Sequence, residues 1–270
     1  MPDVTFRPLT SQADLAAGVA IQRLTWGDRF TEVVPATMLQ ICQKVGGVAA
    51  GAFDRENRMV GFVFGLSGVR EGRPVHWSHM LAVRPEARGQ GLGKRLKLYQ
   101  RELLLKAGIG EVRWTFDPLV APNANLNLNA LGADVETYVP DMYGGDTGSD
   151  LHSGLGTDRA VVVWMIRSGK VTRAIEGEGP ALAGDLTGAP IVNPGAALNE
   201  LRDGVAFRIE VPPDIQQVKS EAPAAAQAWR NTTRRAFLWY LERGYRVAGF
   251  LSGGGGQPSH YVLSRPERHS

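Results

Sequence analysis

The hydrophobic positions first predict a strand at "VTFRPL" (Val4–Leu9), where apolar and polar residues alternate, and then a helix running to about Trp26. "SQAD" (Ser11–Asp14) opens that helix with a capping serine and an acid three residues on. "ATMLQICQKVGG" predicts a second helix, ended by Gly46 and Gly47, and "GVAAGAFD" and "MVGFVFGLSG" then flank "RENR" as a hairpin. "VHWSHMLAV" (Val75–Val83) adds a third antiparallel strand. From Gly91 to about Ala107 the period becomes helical, with Leu92, Leu96, Tyr99 and Leu103 on one face and Lys94, Lys97 and Arg101 directed to solvent. "EVRWTFDPL" is a strand, "NANLNLNALGA" a short helix stopped by Gly132, and "DVETYVPDMY" and "RAVVVWMI" are strands separated by the Gly-rich loop Gly144–Asp158.

Beyond Arg167 the chain becomes rich in Gly, Ala and Pro with no sustained period, so 168–203 reads as a linker or a loosely attached arm. "VAFRIEVPPD" is then a strand, "AAAQAWRNTTRRAFLWYLERG" a strong helix, and "YRVAGFLSG" and "SHYVLSR" two further strands. This tail repeats the strand-helix-strand-strand order of Glu111–Ile166; half of a second such unit and a chance helix-plus-hairpin both fit. The expected organisation is an α+β domain over 1–167, the linker 168–203, and a C-terminal subdomain over 204–270.

Composition narrows the function classes. A chain of 270 residues, 43% hydrophobic and 21% charged, can bury a core. Its net charge of +3 is too mild to indicate a nucleic-acid binder. Cys42 excludes an intramolecular disulfide and multi-cysteine zinc sites, and it reads as a core residue. His76, His79, His152, His260 and His269 show no metal-ligand spacing, so no metal is expected. With no apolar run long enough for a span and no signal-like start, neither membrane insertion nor secretion is expected, leaving a cytoplasmic location.

The segment "AVRPEARGQGLGKRLKLY" (Ala82–Tyr99) places Arg88-Gly89-Gln90-Gly91-Leu92-Gly93 between a strand and a helix. Several free backbone N–H groups and a positive helix end then converge on one point, which suits an anion, with Arg88 and Lys94 adding charge. A dinucleotide fold would require an early parallel strand-helix-strand unit, whereas this hinge follows an antiparallel meander. The GK[ST] ending of a Walker loop is absent.

"HMLAVRPEARGQGLGKRLKLYQRELLLKAG" resembles the acyl-coenzyme A signature of the GNAT superfamily of N-acetyltransferases, with Arg88, Gly91 and Gly93 in the places that grip the cofactor pyrophosphate. The order of elements from Val4 to about Ile166 is similar too. The resemblance implies a mixed, mostly antiparallel sheet flanked by helices, here with the C-terminal extension, and a slot for the pantetheine arm between splayed strands. It implies that Leu81, Ala82 and Val83 bond that arm through main chain, that Arg88, Gly89, Gln90, Gly91, Leu92, Gly93 and Lys94 cradle the phosphates, and that Asn123 or Asn125 adds a bond.

Direct acyl transfer in a ternary complex needs a base for the acceptor ammonium and, less urgently, an acid for the leaving thiolate. His79 and Asp117 are the base candidates; a half-buried core histidine and a turn cap are the alternative readings of the two. Leu128 stands where the family commonly has an acidic Tyr, which leaves Tyr143 or Tyr138 as a substitute; Tyr240, at the corresponding place in the tail, reads as packing. The expected activity is acyl-CoA dependent N-acyltransfer, acetyl or succinyl, to an amino acid or small amine, with Arg113 as the cation a succinyl group would require. The alternatives are transfer to a protein, a GNAT-like coenzyme A binding module without turnover, and a nucleic-acid contact. The loop 144–158 reads as a lid or a plain surface loop, and the tail leaves a homodimer open.

Overall fold

A computed structural model describes residues 3–144, 147–179 and 184–266. Gly145 and Asp146 of the expected lid, 180–183 of the expected linker, and 267–270 with His269 lie outside the described residues. The chain divides into two compact units; the first comprises Met1–Trp114, Asp146–Leu151 and Met165–Arg167, the second Thr115–Gly145, His152–Trp164 and Ser168–Ser270. That division differs from 1–167, 168–203 and 204–270.

In the first unit β1 (Thr5–Pro8), β2 (Val48–Phe53), β3 (Met59–Arg70) and β4 (Arg73–Val83) pair antiparallel in that order, and β5 (Glu111–Phe116) joins β4 in parallel. Helix α1 (Gln12–Trp26) starts with the expected capping box: Ser11 Oγ accepts the Asp14 N–H and the Asp14 carboxylate accepts the Ser11 N–H. Arg7 binds both Asp14 oxygens, at 2.6 and 2.9 Å, and holds that carboxyl far below its usual range. Leu15 and Ile21 of α1 and Leu39 of α2 (Ala36–Lys44) pack on Phe62 and Phe64 of β3, forming the core with Cys42 buried beside them. Helix α3 (Leu92–Lys106) covers the other face, where Leu96 meets Gly61 of β3. Its buried positions are Leu92, Leu96, Lys97, Gln100 and Leu104, so the buried stripe is rotated from the expected Leu92, Leu96, Tyr99 and Leu103, and Lys97, expected in solvent, is inside.

The second unit receives the end of β5, which neighbours β7 (Arg159–Met165), with β6 (Asp134–Val139) antiparallel at the edge. The helix between β5 and β6 is one α-helical turn, α4 (Ala121–Ala124), widening into a π-helix over Asn125–Ala130. A separate antiparallel sheet has the order β8-β10-β9, from β8 (Ala206–Val211), β9 (Arg246–Leu251) and β10 (Ser259–Ser264). The orders β5-β7-β6 and β8-β10-β9 each place the third strand in the middle, so the tail repeats that connectivity.

The segment read as a linker or a loosely attached arm carries local structure. It contains α5 (Gly169–Glu176), capped by Ser168 and tied through Lys170 to Asp134. Further along, Asn193 exchanges hydrogen bonds with the Glu210 main chain at 2.9 and 2.7 Å, and Ile191 pairs with Arg208. Two helices follow β8: α6 (Ile215–Glu221), capped by Asp214, and α7 (Pro223–Glu242). On α7, Phe237 stacks on Tyr138 of β6 at 5.2 Å and meets Tyr261 of β10 edge-on at 5.0 Å. One aromatic side chain therefore packs against both groups of strands.

Candidate functional site

The β4–β5 ladder pairs only Val75–Trp77 with Glu111–Arg113. Ser78–Val83 continue beyond it, bonded to β3 on their other side. Phe64 opposes Met80 while Gly65 opposes Ser78, so His79 is an extra residue on a β-bulge. It stands on the exposed side of the strand, its ring edge against Phe64. Partial loss of water holds its pKa below the usual 6.5, with Glu32 opposing, so the imidazole is mostly neutral at pH 7.

After Val83 a single 3-10 turn, Pro85–Ala87, leads to the glycine hinge. Gly89 and Gly91 hold φ of 75° and 72°, and nothing stands where a Cβ would project at either, so backbone conformation and not packing demands glycine there. Gly91 is the N-cap of α3 and no side chain caps that end. A helix cannot satisfy the N–H groups of its own first turn, so those of Leu92 and Gly93 point out of the helix end. Arg88 is exposed and donates from Nε to Val83 O at 3.2 Å. Leu81–Val83 and Arg88–Lys94 are thus assembled within the first unit.

Asp117, Asn123, Asn125 and Tyr143 belong to the second unit. Asp117 Oδ1 accepts the Leu119 N–H at 2.9 Å, and Oδ2 receives Arg230 Nη2 at 2.6 Å. This is the turn cap weighed from the sequence together with an ion pair that the sequence did not suggest. Arg230 is fully buried and also donates Nε to Leu155 O at 2.9 Å. Four residues along α7, Arg234 binds Asp158 and, at 3.0 Å, Asp141. Burial would raise the Asp158 carboxyl, but Arg234 and the Tyr138 hydroxyl, 2.5 Å away, hold it below its usual range.

Tyr143 is exposed and hydrogen bonds to Thr115 Oγ1 at 2.8 Å, whereas the Tyr138 phenol is buried and pushed well above its ordinary pKa. Tyr240 is enclosed by Phe207, Trp239 and Tyr245, the packing role expected of it. Asn123 is exposed; Asn125 Oδ1 accepts from Asn129 Nδ2 at 2.9 Å. Arg113, the cation suggested for a succinyl group, is buried with its Nε 2.5 Å from Glu111. The loop weighed as a lid is pinned: in the first unit Thr147 O accepts from the Thr31 N–H, and in the second Thr157 Oγ1 donates to Gly144 O while Leu155 and Asp158 are buried.

Residues 20–126 match the family model described as Acetyltransferase (GNAT) family. That span of the chain is similar to GNAT-family acetyltransferases. No curated protein matches the chain. Among solved structures, a ribosomal-protein-S18-alanine N-acetyltransferase from Escherichia coli is 18% identical over 62% of this chain and 96% of its own, with a TM-score of 0.46. A putative GNAT-family acetyltransferase from Desulfovibrio desulfuricans is 18% identical over 61% and 99%, with a TM-score of 0.48. A putative acetyltransferase from Salmonella typhimurium, solved with its cofactor acetyl-CoA, is 18% identical over 62% and 95%, with a TM-score of 0.47.

The first unit also buries a polar chain that the sequence reading missed. Lys97 Nζ donates to Ser78 Oγ at 2.7 Å and to Gln100 Oε1 at 3.4 Å, and lies 3.7 Å from the Trp114 ring centre. Gln100 Nε2 donates to His76 Nε2 at 3.0 Å, and His76 Nδ1 lies 2.9 Å from Ser67 Oγ. Because the Ser67 hydroxyl donates to Gly46 O, it must accept from His76, which fixes the proton on Nδ1. Burial first, then Lys97, lowers the His76 pKa to about 3. Gly65 makes the room: a Cβ there would lie 2.2 Å from His76 Nε2. The visible signal was Lys97 and Gln100 falling at helical spacing with Leu96 and Leu104, facing polar His76 and Ser78 on alternate strand positions.

Proposed function

We propose that the protein is an acyl-CoA dependent N-acyltransferase acting on an amino acid or small amine by direct transfer. The observation that carries the reading is the left-handed Gly89 and Gly91 hinge opening α3 directly after β4, within the span matching the GNAT family. In this reading the first-turn N–H groups of α3, with Arg88 and Lys94, bind the pyrophosphate. Leu81–Val83, beyond the β4–β5 ladder, bond the pantetheine arm and offer an N–H to the thioester oxygen as it becomes negative. His79 takes the ammonium proton, because it is exposed and mostly neutral, while both Asp117 oxygens are already engaged.

A second reading, a coenzyme A binding module without turnover, is favoured by buried Leu128 at the family's Tyr position and by the engaged Asp117. Release of free thiol from acetyl- and succinyl-coenzyme A, with and without pooled amino acids, small amines or peptides, decides between the two. An amine-dependent rise establishes transfer, and the pool that produces it identifies the acceptor class. Tight coenzyme A binding with no rise from any pool supports the binding module.

A further inference from the structure

Within the second unit the tail repeats more than the strand order of the segment before it. Gly132 and Gly244, the left-handed glycines that follow the two helices, lie 112 positions apart. The same shift carries Asp134–Val139 onto Arg246–Leu251, the bounds of β6 onto those of β9, and Ala130, where the π-helix ends, onto Glu242, where α7 ends. It also places Ala124 on Ala236, Leu128 on Tyr240 and Tyr138 on Phe250, all of them buried. The contacts between the two segments are reciprocal. Helix α7 lies on β6, where Phe237 stacks on Tyr138 at 5.2 Å. The π-helix lies on β9, where Asn129 Nδ2 donates to Phe250 O and to Asn125 Oδ1, each at 2.9 Å. Under the shift Asn125 and Phe250 are the equivalents of Phe237 and Tyr138, and the two outer strands, β6 and β9, lie against each other.

We infer that 115–164 and 206–264 are two copies of one half-domain joined through an interface of the homodimer type, so that the tail fills, within one chain, the face a second subunit would take. In an isologous interface each copy offers the other the same surface, so a contact from helix to strand recurs as its own mirror. Both recurrences are present here. A tail that merely covered the sheet would seat α7 on β6, but it would not bring the π-helix onto the tail's own outer strand. The row of rings Tyr138, Phe237, Tyr261 and Phe250, spaced at 5.2, 5.0 and 4.9 Å, begins and ends on the two equivalent positions Tyr138 and Phe250. An outer strand left bare is a template for pairing with another chain, and β9 and α7 occupy that place beside β6. The surface of β6 and the π-helix therefore fits a strand-helix-strand-strand partner, and the chain supplies it from its own tail. The homodimer left open by the sequence is then not needed to cover this face, whatever the acyl-CoA site does.

The test has two arms on the full chain. Sedimentation equilibrium from low to high micromolar concentration is expected to show one species of 29.2 kDa. A dimer that grows with concentration overturns the proposal, because a filled face leaves none for a second copy. The second arm exchanges the residues at the two related helix positions and follows thermal unfolding. Phe237→Asn is expected to lower the midpoint by about 10 °C through loss of a buried ring. Asn125→Phe is expected to leave the midpoint unchanged or raise it, since a ring at 125 meets Phe250 as Phe237 meets Tyr138, and to return part of the loss when combined with Phe237→Asn. A fall in the midpoint with Asn125→Phe alone overturns the equivalence. That variant keeps Phe237 intact, so its result stands even if Phe237→Asn fails to fold.

Discussion

Arg230, fully buried on α7, holds Asp117 at the end of β5 through a 2.6 Å contact between Nη2 and Oδ2, across 113 positions of sequence. A helix of the C-terminal extension thus fixes a residue that the sequence alone offers as a general base. Removing one member of such a pair leaves the other charge desolvated and unpaired, at a cost of about 3 kcal/mol. Arg230→Met is expected to lower thermal stability by that order. Asp117→Asn with Arg230→Met together should cost less than the sum of the singles, and strict additivity would show that the pair contributes no coupling.

The pH profile separates the two base candidates. A rate that depends on neutral His79 falls as pH drops through a pKa below 6.5. His79→Gln should reduce turnover by about a hundredfold and remove that acid limb, since general base catalysis typically contributes this much. Asp117→Asn should retain the limb. Loss of the limb in Asp117→Asn with its persistence in His79→Gln would reverse the assignment.

Lys97 makes a prediction about stability. Its pKa is depressed in the folded state, so between that value and the unfolded one the unfolded chain binds more protons, and stability rises with pH. His76, depressed to about 3, produces its rise below pH 6.5, which leaves the window from pH 7 to 9 to Lys97. Wild type should gain up to about 1.4 kcal/mol per pH unit in that window relative to Lys97→Met. Parallel curves would show that Lys97 is charged in the folded protein.

Truncation after Arg167 removes Arg230, Arg234, Phe237 and Tyr261 from the second unit, leaving Asp117 and Asp158 without their guanidinium partners and Tyr138 without its stacking neighbour. The 1–167 fragment is expected to lose cooperative unfolding and near-ultraviolet dichroism. A sharp transition in the fragment would show that the tail is dispensable for folding.

Strands, helices and the hinge were legible where the physics is local: the Ser11 and Asp14 box, the alternation of β4 and the glycines before α3 each act within a few residues. The π-helix at Asn125–Ala130 and α5 in the Gly/Ala/Pro-rich stretch were not, because their stability comes from partners distant in sequence, Phe250 and Asp134. Lys97 looked solvated because a lysine next to an apolar stripe ordinarily snorkels, and only the polar partners on β4 let it stay inside. Asp117 was correctly placed at a strand end, but its partner on α7 could not be read from either local pattern.

The central claim is that the hinge after β4 binds the phosphates of an acyl-coenzyme A. Calorimetric titration of acetyl-coenzyme A into wild type and into Arg88→Glu combined with Gly91→Asp tests it most directly. Aspartate in the left-handed conformation of Gly91 costs only about 1 kcal/mol, so the variant should still unfold cooperatively, a few degrees lower. Saturable binding to wild type that disappears in the folded variant is the predicted result. Equal affinity in both proteins, or no heat from either, would contradict it.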